Sequence, residues 1–111
     1  MFFFSKSTSD EFDTYKLECL TLLQELEKGF ASSTSPSHKI ALGYIQQSMK
    51  EVKMSKNQMT LFLPLKWLER ELGAMIYDKK LQLTDKEEQA WKSLKNLASS
   101  YHAGHGTALG L

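Results

Sequence analysis

Hydrophobic residues recur at steps of three and four along most of the chain, which is the spacing of one face of an α-helix. The first such segment covers residues 9–29, and the spacing of Thr8 and Glu11 predicts a capping box at its start. Gly29 is predicted to end it, because glycine adopts positive φ without steric cost. The apolar positions, wide enough to contact two neighbouring helices, are Phe12, Tyr15, Leu17, Cys19, Leu20, Leu22, Leu23, Leu26 and Phe30.

A second periodic segment covers residues 36–54 and a third covers residues 61–79. Ser35 and Pro36 predict the start of the second helix, because proline lacks an N–H that the first turn leaves unpaired. Pro64 is predicted to lie in the first turn of the third helix, since deeper inside it would remove a backbone hydrogen bond. The predicted inner residues are Ile40, Ala41, Tyr44, Ile45, Met49 and Val52 in the second helix, and Leu65, Leu68, Leu72, Met75 and Ile76 in the third.

The clearest local pattern is the segment LQLTDKEE, which follows the third helix. Leu81 and Leu83 are predicted to close one end of the core from an extended connector. Thr84 and Glu87 have the spacing of a capping box, which predicts a fourth helix over residues 85–102. The acidic residues after Thr84 also complement the positive end of that helix dipole. The inner positions of the fourth helix are Ala90, Trp91, Leu94, Leu97, Ala98 and Tyr101.

Four amphipathic helices with short links predict an all-α fold, an antiparallel up-down-up-down four-helix bundle. We expect a single domain over residues 1–111, with a flexible N-terminal segment and a C-terminal tail. Gly104 and Gly106 are predicted to end the last helix. The three phenylalanines at positions 2–4 fit a flap over one end of the bundle, a disordered segment, or a contact with a membrane or partner.

Composition narrows the classes of partner and compartment. The chain has 111 residues and a formal net charge of +1, without the basic stripe that binding to nucleic acid requires. A single cysteine allows no intramolecular disulfide, and no segment has the basic start and long apolar run of an export signal or the length of a membrane span. We therefore expect a cytoplasmic protein, with peripheral contact at a membrane surface left open.

Candidate chemistry is sparse. His102 and His105 have a spacing at which two helical histidines can share a metal, but Gly104 interrupts the helix and the alternative is a solvated tail. Cys19 falls on the apolar face of the first helix, which favours a packed thiol over a nucleophile. Trp67 and Leu61 lie off the predicted inner face of the third helix. Trp67 and Trp91 are expected to be core or half-buried residues, and the alternative for either is an interface anchor. We expect no catalytic, cofactor or metal site, no small-molecule substrate and no enzymatic activity.

The segment MIYDKKLQLTDKEEQAWKSLKNLA carries a family resemblance. A third helix ends in Asp78, Lys79 and Lys80, a hydrophobic-x-hydrophobic-Thr connector follows, and an acidic helix start comes next. This order resembles the immunity proteins for pediocin-like (class IIa) bacteriocins, of the enterocin A and pediocin type. The resemblance is best over residues 60–106.

The resemblance implies a small cytoplasmic antiparallel four-helix bundle from Gram-positive bacteria. Such proteins protect a producing cell from its own membrane-permeabilising peptide. The implied partner is a membrane sugar permease, that of the mannose phosphotransferase system, bound from its cytoplasmic side while the bacteriocin engages it. The implied mechanism is binding, without covalent chemistry.

The family's C-terminal half carries specificity, which directs attention to exposed cations and histidines there. The candidate recognition residues are Lys79, Lys80, Lys92, Lys95, His102 and His105. The alternative for each is an ordinary solvated side chain. The alternative for the whole chain is a generic helical protein–protein adaptor or regulatory bundle.

Overall fold

The computed structural model describes the backbone of residues 3–108 and the side chains of residues 11–99. All regular structure in this part of the chain is helical: α1 (Phe3–Ala31), α2 (Pro36–Met54), α3 (Gln58–Tyr77) and α4 (Asp85–Ala108). α1 packs against α2 and α4, and α3 packs against the same two helices, so the four helices surround a shared core. The predicted all-α fold with four helices is confirmed for the described residues.

Each helix contributes one face to a single buried cluster. Its members are Cys19, Leu23, Leu26 and Phe30 of α1, Ala41, Ile45, Met49 and Val52 of α2, Leu61, Leu65, Leu68 and Leu72 of α3, and Ala90, Trp91, Leu94 and Ala98 of α4, with Leu81 of the connector. They recur at steps of three and four, so the predicted periodicity is confirmed. Burying one of the Leu, Ile, Val, Met or Phe side chains of this cluster stabilises the fold by about 1.5–3 kcal/mol, which makes the cluster the main source of stability.

α1 begins earlier than predicted. The backbone is helical from Phe3 onward, so Thr8 lies inside the helix. An N-cap residue has extended backbone, and the predicted capping box between Thr8 and Glu11 is therefore wrong. The side chains of residues 1–10, including the three phenylalanines at positions 2–4, lie outside the described residues.

α1 also continues beyond Gly29 to Ala31, so the predicted stop at the glycine is wrong. Glycine permits a helix end without imposing one, and here the Ser32 hydroxyl donates to the Gly29 carbonyl oxygen at 2.9 Å. Leu17 is 64% exposed, although it was expected to widen the inner face, whereas Leu20 packs against the core. The expected contact with two neighbouring helices is confirmed.

α2 has the predicted bounds, and Pro36 lies in its first turn after the extended Ser35. Ile40 was assigned to the inner face, but it is 52% exposed. The inner face instead passes through Ser48, which is fully buried and donates its hydroxyl hydrogen to the Pro64 carbonyl oxygen at 3.4 Å. Ile40 directly precedes the buried Ala41, so it lies about 100° away around the helix and falls outside the inner face.

α3 begins at Gln58 and ends at Tyr77, so both predicted bounds are shifted. Asn57 is its N-cap: the Asn57 side-chain oxygen accepts from the Thr60 amide at 2.9 Å, and the Thr60 hydroxyl accepts from the Asn57 amide at 3.3 Å. Pro64 therefore lies inside the helix rather than in its first turn, which corrects the prediction. The reciprocal cap fixes the helix start despite the backbone hydrogen bond that proline removes.

The earlier start of α3 changes its inner face. Leu61 is fully buried, contrary to prediction, because it lies one turn before Leu65 on the same face. Met75 and Ile76 were expected inside, but they are only partly buried against the core. Trp67 is also partly buried, in agreement with its predicted position off the inner face.

α4 begins at Asp85 as predicted but continues to Ala108, so the predicted end at residue 102 is wrong. Its backbone passes through Gly104 and Gly106, each of which costs about 1 kcal/mol relative to alanine without preventing a helix. Side chains from residue 100 onward, and the whole of residues 109–111, lie outside the described part of the chain.

Candidate functional site

The site of the family resemblance begins with the tight turn that ends α3. The Lys79 amide donates to the Ile76 carbonyl oxygen at 3.0 Å, and the Lys80 amide donates to that of Met75 at 2.9 Å. Lys79 has a φ of 61°, so the turn is a Schellman motif with lysine where glycine is usual. The left-handed conformation costs a non-glycine residue about 1–2 kcal/mol. This turn leaves both lysines exposed to solvent.

The connector after the turn is pinned to the core and then capped. Leu81 is 2% exposed, and Leu83 is partly buried against the core, as predicted. The Thr84 amide donates to Glu87 Oε1 at 3.0 Å, and the Glu87 amide donates to Thr84 Oγ1 at 3.2 Å. The predicted capping box is confirmed, and it fixes the residue at which α4 begins.

Glu87 has a second role that the sequence analysis missed. It is a buried carboxylate, 8% exposed, and it lies directly against Gly29 of α1. A Cβ added at Gly29 would lie 2.9 Å from Glu87 Cδ, so only glycine leaves room for the carboxylate in this position. A glycine inside a predicted helix suggests that another part of the chain packs closely there, but the sequence does not show that this part is Glu87. A depression of about 400 Å³ beside this contact is lined by Glu25, Lys28, Gly29, Ser32, Thr84, Lys86 and Glu87.

His38, near the start of α2, holds the connector from another side. Its Nε2 lies 3.1 Å from the carbonyl oxygen of Gln82, and a carbonyl only accepts, so Nε2 carries the hydrogen. Its ring packs edge-on against Phe30, with the ring centroids 5.3 Å apart. Nδ1 is buried without a hydrogen-bond partner among the described residues. α2 therefore contacts the connector directly through His38, and α1 contacts the first turn of α4 just after it through Gly29.

The candidate recognition residues fall into separate groups. Lys79 and Lys80 lie in the turn, while Lys92 and Lys95 lie three residues apart on one side of α4. Lys92 is exposed, whereas Lys95 is partly buried, with its Nζ 5.7 Å from the centroid of the Trp91 ring. The structure thus brings the two α4 lysines together and places the other two in the turn ahead of that helix.

The remaining candidates, His102 and His105, belong to the helical backbone of α4, but their side chains lie outside the described residues. Their predicted role in recognition, like that of the four lysines, stays a prediction. Among the described side chains, no group of three or more His, Cys, Asp or Glu residues is placed to hold a metal ion.

Cys19 is fully buried in the core, which confirms the packed thiol. Burial, with a smaller contribution from the charge of Glu18, raises the pKa of the Cys19 thiol to about 12. The thiol is therefore protonated at neutral pH, and a protonated, inaccessible sulfur is a poor nucleophile.

Two further findings bear on function. None of the helices, as far as their residues are described, combines the length and the apolar character needed to cross a membrane. Protein-family models, curated proteins and solved structures give no match to the chain. The resemblance to bacteriocin immunity proteins therefore stays a prediction, which rests on the length of the chain, the order of its helices and the connector between α3 and α4.

Proposed function

We propose that this chain is an immunity protein that protects a cell from a class IIa, pediocin-like bacteriocin. It binds the mannose phosphotransferase permease from the cytoplasmic side while the toxin engages that permease, and it carries out no covalent chemistry. The observation that supports this function best is the connector that carries the resemblance, with Leu81 buried and the Thr84–Glu87 capping box formed ahead of a fourth helix.

We infer in addition that the helices run antiparallel, up-down-up-down, and two crossed contacts support this topology. Lys16, in the first half of α1, donates from Nζ to the Ser55 carbonyl oxygen just past the end of α2, at 2.9 Å. Phe30, near the end of α1, packs on His38 near the start of α2. Gly29 likewise meets the first turn of α4, and links of a few residues between helices favour antiparallel neighbours.

The connector serves this function by orienting the candidate recognition surface. The His38 contact with the connector, the Thr84–Glu87 capping box and the Gly29 contact with Glu87 fix where α4 begins, so the positions of Lys92 and Lys95 follow from the fold. These two lysines, with Lys79 and Lys80 in the turn, present positive charge to acidic groups on the permease. We include His102 and His105 in the proposed surface because of the family resemblance, and their backbone belongs to α4. We propose that the protein is cytoplasmic and that it reaches the membrane through its partner.

Copurification tests the proposed partner. A tagged full-length chain is expressed in bacteria that carry the mannose permease, with and without a class IIa bacteriocin, and the membranes are solubilised. We expect the permease to copurify with the chain only after toxin is added. Equal recovery without toxin, or no recovery in either condition, contradicts the proposal.

Charge reversal tests the proposed surface in the same experiment. Lys92→Glu combined with Lys95→Glu is expected to reduce recovery of the permease. Lys50→Glu combined with Lys53→Glu is the control, because it also reverses two lysine charges, at exposed positions of α2. Lys95→Glu additionally removes the contact with Trp91, so circular dichroism confirms that both double variants are folded. Equal losses in the two variants argue against a specific surface on α4.

A generic helical adaptor is the second candidate, and one observation favours it. Trp67 and Tyr44 form an aromatic pair on the α2–α3 side, beside the exposed Leu63. Aromatic side chains that remain partly accessible are common anchors in protein interfaces. Recovery of a soluble partner without the permease supports this alternative.

A further inference from the structure

The side of α3 that faces away from the core is apolar along its first half. Met59 is 62% exposed and Leu63 is 57% exposed, while Trp67 is partly buried. These three residues are four positions apart, so they form a line about 12 Å long on the helix, which we name the α3 outer stripe. The outer side of a surface helix is normally polar, so an apolar stripe there is a candidate binding surface.

The stripe is held in place by a contact with α2. The rings of Trp67 and Tyr44 meet edge to face, with their centroids 5.4 Å apart and their planes at 79°. This packing limits the rotamers open to the indole, so little side-chain entropy remains to be lost when a partner covers it. A fixed aromatic group flanked by exposed aliphatic side chains is the usual centre of an interface.

Two cations accompany the stripe. Lys66 and Arg70 lie four residues apart and are paired with Glu69 at 3.5 Å and with Glu71 at 3.4 Å, respectively. Exposed ion pairs of this kind contribute at most about 1 kcal/mol, so either cation can exchange its carboxylate for another at little cost. A surface depression of about 580 Å³ on this side is lined by Leu63, Lys66, Trp67, Glu69 and Arg70.

We propose that the α3 outer stripe docks an amphipathic helix of a partner protein, with an acidic residue of that helix between Lys66 and Arg70. The apolar side chains of the partner cover Met59, Leu63 and Trp67, and its carboxylate accepts hydrogen bonds from the two cations. Residues at steps of three and four on one helix match the spacing of the stripe. The inference does not rest on the proposed immunity function, because the stripe lies on the α2–α3 side and not on α4.

A second copy of this chain is a poorer occupant because of charge. If two stripes pair in antiparallel fashion about Leu63, the middle residue of the stripe, Arg70 of each copy lies near Lys56 of the other. Parallel pairing places Lys66 opposite Lys66. Like charges that face each other across an interface oppose association, so the stripe favours an acidic partner over itself.

An anionic membrane surface also fits less well. Its attraction amounts to about 1 kcal/mol for each basic residue near it, and here Glu69 and Glu71 offset Lys66 and Arg70. A partner helix can direct one carboxylate at the two exposed cations, while the two glutamates stay partly buried beside them. A uniformly anionic surface meets all four charges together.

Peptide binding to the full-length chain tests the proposal. Three helical peptides of equal length carry leucine at heptad positions a and d, with glutamate, glutamine or lysine at positions e and g. Each is titrated into the ¹⁵N-labelled protein, and amide shifts are followed by NMR. We expect saturable shifts centred on Met59, Leu63 and Trp67, with the glutamate peptide bound about tenfold more tightly than the glutamine peptide and the lysine peptide weakest. Equal affinities, or no saturable shift at the stripe, overturn the proposal.

Variants at exposed positions separate docking from folding. Leu63→Glu is expected to weaken binding of the glutamate peptide at least about tenfold, while Leu17→Glu, at a 64% exposed position on α1, leaves it unchanged. Met59→Glu repeats the test at a second exposed position of the stripe. Changing both Lys66 and Arg70 to glutamate is expected to invert the order of peptide affinities, so that the lysine peptide binds most tightly. An unchanged order contradicts the role given to the two cations.

Two further measurements distinguish the other occupants. The first is cosedimentation with phosphatidylglycerol vesicles. If the parent protein sediments with the vesicles, Leu63→Glu does not, and the glutamate peptide is not preferred, the stripe binds a membrane and the proposal is overturned. A dimer in sedimentation equilibrium that the same substitution dissociates assigns it to a second copy, with the same consequence. We expect a monomer that does not sediment with the vesicles.

Discussion

Gly29 of α1 and Glu87 of α4 are in direct contact: a Cβ on the glycine would lie 2.9 Å from the carboxyl carbon of Glu87. The carboxylate is held in place, because its Oε1 accepts a hydrogen bond from the Thr84 amide at 3.0 Å. One close approach therefore joins the end of α1 to the cap of α4, in the segment on which the proposed function depends.

Alanine at position 29 is expected to destabilise the protein by about 1 kcal/mol, although alanine ordinarily stabilises a helix by a similar amount relative to glycine. The added methyl displaces the Glu87 carboxylate, and the lost cap, worth about 1 kcal/mol, cancels the helix gain. Overpacking at the crowded contact costs about 1 kcal/mol more, which gives the net loss. Urea unfolding of Gly29→Ala measures the change.

Two other glycines supply matched controls. Gly43 and Gly73 are also helical, and a Cβ at either would meet nothing within 4 Å. Alanine at these positions is expected to stabilise the protein by up to about 1 kcal/mol. In a Glu87→Ala background, Gly29→Ala should become stabilising as well, because the obstructing carboxylate is gone. Equal stabilisation at all three glycines in the parent protein contradicts the close contact.

Glycine at position 79 is expected to stabilise the protein by about 1 kcal/mol, because it relieves the left-handed conformation of Lys79. Lys80→Gly is the control: among the described non-glycine residues only Lys79 has positive φ, so glycine at position 80 gains nothing. Thermal unfolding compares the two. A lower melting temperature for Lys79→Gly than for the parent argues against the Schellman turn.

The side-chain caps at the starts of α3 and α4 are expected to stabilise the protein by similar amounts. Thr84→Ala and Asn57→Ala each remove a hydrogen bond to a first-turn amide and should cost about 1 kcal/mol. Ser35 occupies the same position before α2, but its side chain makes no capping hydrogen bond, so Ser35→Ala should change stability little. Chemical denaturation measures the free energy of unfolding of the three variants. A loss of stability in Ser35→Ala as large as that in Thr84→Ala counts against this account.

The stability of the fold is expected to fall as the pH rises above 9, in part because of Cys19. Its thiol has a pKa of about 12 in the folded protein, against an ordinary 9.0, so between these values the folded state binds more protons than the unfolded state. Linkage then lowers the free energy of unfolding by about 1.4 kcal/mol at pH 10. Urea titrations at pH 8 and pH 10 should show a smaller fall for Cys19→Ala than for the parent, whereas equal falls contradict the raised pKa.

Local pattern predicted most of the helices, and its failures have physical causes. Thr8 and Thr84 both precede a glutamate by three residues, yet only Thr84 is a cap. The difference lies in the preceding residues: the backbone just before Thr84 is not helical and is held by the buried Leu81, whereas the backbone before Thr8 is already helical. The capping-box spacing describes a bond that is possible, and the conformation of the preceding residues decides whether it forms.

Contacts between distant residues could not be read from the sequence. The ring of His38 reaches the carbonyl of Gln82 across 44 positions, and no periodic pattern specifies which helix ends meet. The α3 outer stripe was missed for another reason. Periodicity was used to find the face turned toward the core, so Leu63, exposed on the opposite side, was assigned to no face.

Protection of living cells tests the proposed function most directly. A sensitive strain that carries the mannose permease and expresses the full chain is challenged with a panel of class IIa bacteriocins. We expect growth at concentrations that kill the same strain with an empty vector, with protection reduced by the paired Lys92→Glu and Lys95→Glu changes and retained with the paired Lys50→Glu and Lys53→Glu changes. No gain in resistance to any member of the panel, with the protein present and folded in the cells, would contradict the account.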